Sequence, residues 1–487
     1  MAKEKLVKET SKETYESKSD KRAFSILYGA TYIFRIAFGA TILLIDTYLI
    51  YLYYAHYMVE HGVPPHPADS NLIFILVLVA LTYYLSESFS AGAIGFLIDH
   101  RDVRGVIVAS AWVGAIALSS YSIGLLFEAE IWIDVIIFAI AHMIHGVAAA
   151  MKVTSTVTFI ARHSTFQNRG THMGLYDFTM FLGRVTGIGI GGYLWAYFGT
   201  HLTLEELIEE IHTNKITAIE GYHIIRGALH SFWVLAILLV IAGIMLMFLP
   251  KVPPEKERTE ISLKEMVLAP VREFLIMFRE RRDLAIPWFS MASLFGLILL
   301  WGPRVLQIEV GISGEMSGYI GAYIGLLLGL PAPLWGYVAD RIGRKKTVAI
   351  GIGGLVLLVV LLAVALISLQ IPLDDPMLFF MASPAIIFLA ALGPSFLARL
   401  GDTSKKGQHG EVMAGYQFTL ALGEINGILT GAVVIYIFTE LFKGTEWYQL
   451  AGLIGIAVLG LIYFLMMVIG ALTLKPDEVV LKEYGEN

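Results

Sequence analysis

The 487 residues contain no cysteine. That excludes a disulfide framework, a thiolate metal site and a thiol nucleophile. Charge is scarce as well: 16% of residues are Asp, Glu, Lys or Arg, against about 25% in an average soluble domain. A phosphate-binding glycine loop ending in Lys-Ser/Thr is missing, as are a nucleophile elbow and a zinc-ligand motif. ATP-driven transport within the chain and the familiar hydrolases are therefore not expected. No enzyme activity, cofactor, bound metal or nucleic-acid partner is expected. Residues 1–22 are polar and rich in Lys and Glu, with no apolar core or cleavage site. They read as a cytoplasmic tail, not a secretory signal peptide.

What is abundant is long apolar sequence: 56% of the residues are hydrophobic. A helix needs about 20 apolar residues to cross a hydrocarbon core of about 30 Å. Twelve such spans are predicted. They cover residues 24–54, 72–98, 105–127, 131–162, 170–198, 229–249, 285–310, 315–338, 346–371, 376–400, 411–441 and 447–474. Strands of a membrane barrel would be about half as long and would alternate in polarity. The fold class is thus an all-α polytopic membrane protein. Lys215, Arg226 and Lys443 fall in the outer loops, and Arg35, Lys152, Arg184 and Arg304 inside spans. Every other one of the 35 Lys and Arg residues then lies on one side. The positive-inside rule makes that side cytoplasmic, with both termini. The localisation expected is the plasma membrane.

The chain repeats itself. Gly170, Met173, Tyr176, Phe178, Thr179, Leu182, Gly183, Gly187 and Gly191 match Gly410, Met413, Tyr416, Phe418, Thr419, Leu422, Gly423, Gly427 and Gly431 at one constant offset. Spans 5 and 11 read as copies, which divides the chain into two pseudo-symmetric six-helix bundles, 23–249 and 285–474. Between them, 250–284 reads as a cytoplasmic linker. A capping box at Ser262 and Glu265 starts an amphipathic helix there, expected to lie on the membrane surface. Residues 475–487 form a second tail. Gly183, Gly187 and Gly191 recur every fourth residue, as do Gly423, Gly427 and Gly431, which suits close helix packing or a sliding face. In the long outer loop, Thr203 and Glu206 suggest another cap, followed by a helix that packs on the surface or lids the outer mouth.

Two loops at equivalent positions carry a recognisable pattern. GYVADRIGRKK (336–346) resembles the loop motif of the major facilitator superfamily, and GFLIDHRDVRG (95–105) is a degraded copy with His100 and Asp102 at variant positions. The resemblance implies a twelve-helix secondary transporter working by alternating access between two bundles. It also implies a cytoplasmic gating motif at Gly95, Asp99, Arg101, Arg104, Gly336, Asp340, Arg341, Gly343, Arg344 and Lys345. There the Asp accepts from Arg and from helix N-terminal amides. Span 4 keeps Gly146 of a second family pattern, with His142 and His145 for its Arg and Gln. Gly183, Gly187, Gly191 and Gly192 resemble the span-5 pattern of drug–proton antiporters, with Ile188 for its proline. That pattern favours export of an amphipathic compound over proton-coupled uptake of a sugar or organic anion.

Ionisable side chains inside a span are costly and point to function. Those here are Arg35, Asp46, Glu87, His142, His145, Lys152, Asp177, Arg184, Arg304 and Glu424. Arg184 and Glu424 occupy equivalent repeat positions and are expected to face a central cavity. Asp177, two turns before Arg184, is the local partner that would neutralise it. His142 is the expected proton carrier, with Glu87 as its carboxylate partner. His56, His61 and His66 cluster in the first outer loop without the spacing of a metal site. The expected partners are a small solute, protons and membrane lipid, with the chain a monomer. A membrane sensor on the same fold would need a larger output domain than these tails supply. A lipid-modifying enzyme would need catalytic groups nearer an interface.

Overall fold

The computed structural model describes residues 18–63, 70–127, 130–200, 202, 204–213, 215–254, 263–308, 314–372, 375, 377–404, 409–445 and 447–484. Most of the predicted tail 1–22, His66, and the proposed cap residues Thr203 and Ser262 lie outside the described residues. The first bundle contains α1 (Lys18–His61), α2 (Ser70–His100), α3 (Val103–Tyr121), α4 (Ile131–His163), α5 (Arg169–Phe198), two short helices α6 (Leu204–His212) and α7 (Ala218–Gly227), and α8 (Ser231–Leu246). The linker is α9 (Leu263–Glu280). The second bundle contains α10 (Arg282–Ile308), α11 (Gly314–Gly329), α12 (Ala332–Ile342), α13 (Arg344–Ala363), α14 (Met377–Leu389), α15 (Leu392–Asp402), α16 (His409–Leu441) and α17 (Ala451–Leu472), closed by α18 (Asp477–Tyr484). Two predicted spans are each broken into a pair, α11–α12 before Pro331 and α14–α15 at 390–391.

Among the described residues, eleven helices are long and apolar enough to cross a membrane. The twelfth predicted span is α5, a 30-residue helix that carries His172, Asp177 and Arg184. At 30 residues it is long enough to span, and its polar side chains set it apart from the eleven. It packs against α1 on one side and against α11, α12 and α15 of the other half on the other. Its repeat partner α16 packs against α10 and against α2. The halves therefore meet along two pseudo-equivalent seams, α2 with α16 and α5 with α11–α12.

The four-residue glycine series belong inside the halves. Gly183 and Gly187 face the backbone of α1 at Tyr32, Ile36 and Ala40, while Gly423 and Gly427 face α10 at Phe289 and Ser293. Gly191 and Gly431 continue the two rows, against Ala40 and Trp301; Gly192 only grazes Leu43. Gly146 does the same for α4 on α2, against Ser86 and the Tyr83 carbonyl. The sliding-face reading is thus corrected to packing, because each row contacts its own bundle.

Two peripheral helices are placed by their contacts. Helix α6 packs on α1 and α7, with Leu207 and Ile211 buried, which matches the surface-packing alternative and not the lid. A full capping box sits at Thr217 and Glu220, starting α7. The linker helix α9 packs along the α2–α16 seam. Phe274 meets Phe418 at 5.4 Å, Phe278 meets Phe289 at 6.0 Å, and Arg272 pairs with Glu411 at 3.5 Å. Leu268, Val271 and Leu275 remain exposed on another face.

Gly187→Ala and Gly427→Ala each set a methyl against a neighbouring backbone carbonyl. We expect each to lower stability by about 1–3 kcal/mol, read as a lower unfolding temperature in detergent. Gly189→Ala, with open space around its Cβ, is expected to leave it unchanged or slightly raised.

Candidate functional site: a paired latch and an ionisable interior

At the end of the bundle that carries α9, α18 and the two motif loops, the seams are closed by two carboxylates. Asp99, at the end of α2, accepts the backbone N–H groups of Gly410 and Glu411 at 2.8 and 3.2 Å. Asp340, near the end of α12, accepts those of Gly170 and Thr171 at 2.8 and 2.7 Å, and the Thr171 hydroxyl at 2.7 Å. Each carboxylate therefore caps the first turn of a helix in the opposite half. Helix N-termini present unpaired N–H groups and a partial positive charge, so an anion is well placed there. The approach needs glycine on both sides. A Cβ on Gly95 would meet the Gly410 carbonyl, and one on Gly336 the Gly170 carbonyl.

The counterions differ between the two latches. Asp99 pairs with Arg162 of α4 at 2.8 Å. Asp340 pairs with Arg344 at 2.6 Å, and Arg344 continues to Asp402 of α15 at 3.2 Å, which Arg169 of α5 reaches at 2.6 Å. Arg344 also donates to the Phe166 carbonyl at 2.7 Å across the seam. Arg162, Arg169 and Asp402 were not singled out from the sequence. The repeat offset maps Arg162 onto Asp402, and an opposite-sign pair at equivalent helix ends was the available signal.

Four expected gating residues lie elsewhere. Arg101 and Arg341 are exposed, the latter over the Tyr337 ring at 4.9 Å. Arg104 holds the Met247 carbonyl beyond α8, and Lys345 the Leu474 carbonyl beyond α17. These two basic groups tie each loop to its own bundle. Gly343 has φ +101°, a conformation that only glycine adopts without strain. Asp102 at the equivalent place has φ −63° and caps α3 at Arg104. This turn does not need glycine, which explains the departure from the motif.

Deeper in, ionisable groups gather around two centres. Arg35 of α1 is the common charged neighbour of Glu87, His145, Lys152, Tyr176 and Asp177. Tyr84 of α2 lies in the field of Glu424, Arg184, Glu87 and Asp46. Arg184 and Glu424 are thus brought within electrostatic reach of each other from opposite halves. Asp46 is exposed and near Tyr84.

Two expected pairings are not formed. Asp177 has Arg35 and not Arg184 as its charged neighbour, and its Oδ2 lies against Gly393 of α15. His142 Nδ1 hydrogen-bonds the Val79 carbonyl at 3.1 Å, which accepts, and Glu87 is not its partner. Glu87 instead accepts from Gln417 of α16 at 2.7 Å. The side chain of Arg304 lies outside the described residues. His56 pairs with Glu60 at 3.3 Å and His61 with the Tyr57 carbonyl at 3.2 Å. Among the described residues, no His, Asp and Glu group has a metal-site arrangement.

The family model of the Major Facilitator Superfamily matches residues 36–368 and 305–485. The chain belongs to the Major Facilitator Superfamily. It is a multi-pass membrane transporter, not an enzyme. It is similar in fold to the human organic anion transporter MFSD10 (TETRAN), at 16% identity and TM-score 0.64, over 93% of this chain and 100% of that one. The fucose transporter FucP in its outward conformation matches at 11% identity and TM-score 0.65, over 92% and 98% of the two chains. The proton:xylose symporter XylE bound to 6-bromo-6-deoxy-D-glucose matches at 16% identity and TM-score 0.61, over 92% and 94%. No curated protein sequence matches the chain.

Asp340→Asn and Asp99→Asn each weaken charge-assisted bonds worth about 1.5–3 kcal/mol apiece. If the bundles move as two bodies, either substitution opens both seams. We expect deuterium uptake to rise about tenfold or more in both 169–176 and 409–416. Faster uptake in only the directly capped segment would mean that the latches act independently.

Proposed function

We propose that this chain moves a small organic solute across the plasma membrane by alternating access, coupled to a proton carried on Glu87. Its basic end faces the cytoplasm, in keeping with the Lys and Arg asymmetry, and it works as a monomer. Lipid covers Leu268, Val271 and Leu275 of α9.

The observation that carries this reading is the Glu87–Gln417 contact. Both side chains are buried, and they come from opposite halves. Gln417 Nε2 donates to Glu87, while Gln417 Oε1 has no hydrogen-bond partner. An ionised Glu87 has no hydrogen to offer that oxygen. A protonated Glu87 does, and acid and amide then close a ring of two hydrogen bonds. An unsatisfied buried acceptor costs about 1–3 kcal/mol, enough to shift a two-state equilibrium about tenfold. Proton binding on Glu87 thus favours the state closed at the basic end, and proton loss favours its opening. The other polar groups around Glu87 are Arg35 on α1, Tyr83 and Tyr84 on α2, Tyr176 and Arg184 on α5, and Glu424 on α16.

Export was expected from Gly183, Gly187, Gly191 and Gly192. The first three have a packing role against α1, which explains them without reference to direction. The surroundings of Arg35 favour a second reading, uptake of the solute together with the proton. Ionised Glu87 and Asp177 compete with any solute for Arg35, and protonation frees it. Proton and solute then load together.

In liposomes holding a pH-sensitive dye, a panel of sugars, organic acids, amino acids and amphipathic cations should include one that moves protons with it. Glu87→Gln is expected to abolish that proton flux while solute exchange persists. Unchanged proton flux in Glu87→Gln, or solute movement without protons in the parent, contradicts the proposal. Protons moving opposite to the solute would restore export.

A further inference from the structure

We propose that Arg35 and Lys152 form the seat of an anionic group, so that the solute is an organic anion: a carboxylate, a sulfonate or a phosphate monoester. This rests on the transporter reading above and adds the substrate class to it. It does not depend on Glu87 as the proton carrier.

Lys152 lies in α4 and is 1% exposed. Its Nζ has no hydrogen-bond partner. Its Nζ stands over the Phe34 ring at 5.7 Å, and its charged neighbour among the described residues is another cation, Arg35. Arg35 is 9% exposed, and its Nε also lacks a partner. Two buried cations side by side, each with an unused donor, are a costly arrangement unless something negative joins them. His145 Nε2 is buried and unpartnered too, and the buried Tyr176 hydroxyl lies beside the Arg35 guanidinium. Polar groups of α4 and α5 thus gather around Arg35 of α1.

The carboxylates nearby do not fill it. Glu87 is engaged by Gln417 at 2.7 Å. Asp177 reaches Gly393, and its Oδ2 is itself unpartnered. The second bundle has no equivalent cation pair, since Ala292 stands against Gly423 as Arg35 stands against Gly183. The seat is therefore a feature of the first bundle alone and not of the shared repeat.

Two or three oxygens on one centre match this donor set. Guanidinium, ammonium and phenol each donate to such a group, and the two cations cannot accept. The wall beside it is apolar. Phe34 and Phe38 pack at 4.4 Å, and Phe38 meets the His145 ring at 3.9 Å. That wall suits a carbon skeleton and disfavours a fully hydrated inorganic ion.

The test uses the purified full-length protein in detergent, without a pH gradient, so that a failure of proton coupling does not affect it. Unfolding temperature is read with benzoate, naphthalenesulfonate and phenyl phosphate, and with benzamide as the uncharged control. At least one of the three anions should raise it in the parent, while benzamide does not. Lys152→Met should remove that rise. In anion-free buffer Lys152→Met should itself unfold at a higher temperature than the parent, because an unpaired buried charge is gone. Tyr176→Phe, which removes one hydroxyl, should weaken anion affinity about tenfold. Four outcomes overturn the proposal: no rise with any of the anions, an equal rise with benzamide, a rise that survives Lys152→Met, or a Lys152→Met protein less stable than its parent.

Discussion

Everything at the basic end depends on one interaction used twice: a carboxylate from one bundle capping the first turn of a helix in the other. Asp99 holds Gly410 and Glu411, and Asp340 holds Gly170 and Thr171. The bond is strong because a full charge meets backbone donors that no other group serves. It is also reversible, because separation lets water replace each partner. Covalent ties across the seam are excluded by the absence of cysteine. Glycines at both crossings make the geometry possible, since a side chain on either would hold the helices apart.

The two halves share packing but not chemistry. Their glycine rows are equivalent, and so are the latch carboxylates. The interior charges are not. Arg35, Glu87, His145, Lys152 and Asp177 all belong to the first bundle, while among the described side chains the second offers Gln417 and Glu424. The second bundle therefore closes over a site whose charges come mainly from the first. Glu87 and Gln417 join the two across the seam, which is where a proton can act on both the site and the closure.

Much of this was legible in the sequence because it is periodic or local. Span lengths follow from bilayer thickness, and the constant offset between Gly170 and Gly410 exposed the repeat. The Asp340 motif is contiguous, so its role could be placed before its contacts were known. Long-range partners were not legible. Arg162 reaches Asp99 from another helix end, and nothing near Asp99 announces it. Arg101 and Arg104 were nearer in sequence, but a helix end points them outward and towards the region beyond α8. His142 was matched to Glu87 by type, yet the Val79 carbonyl was closer in space. The linker was read as a surface helix from its amphipathic pattern. That pattern cannot distinguish a face packed on the α2–α16 seam from one resting on lipid.

The central claim is that the bundles move as two bodies and that protonation favours closure at the basic end. The cysteine-free chain allows spin labels at Gln167 and Arg341, both exposed and on opposite sides of the α5–α12 seam. The distance distribution between them, measured in lipid nanodiscs across a pH series, tests the claim directly. The account predicts two populations, with the shorter one gaining as pH falls and this gain lost in Glu87→Gln. A single distance at every pH, or a longer population that grows on acidification, would contradict it.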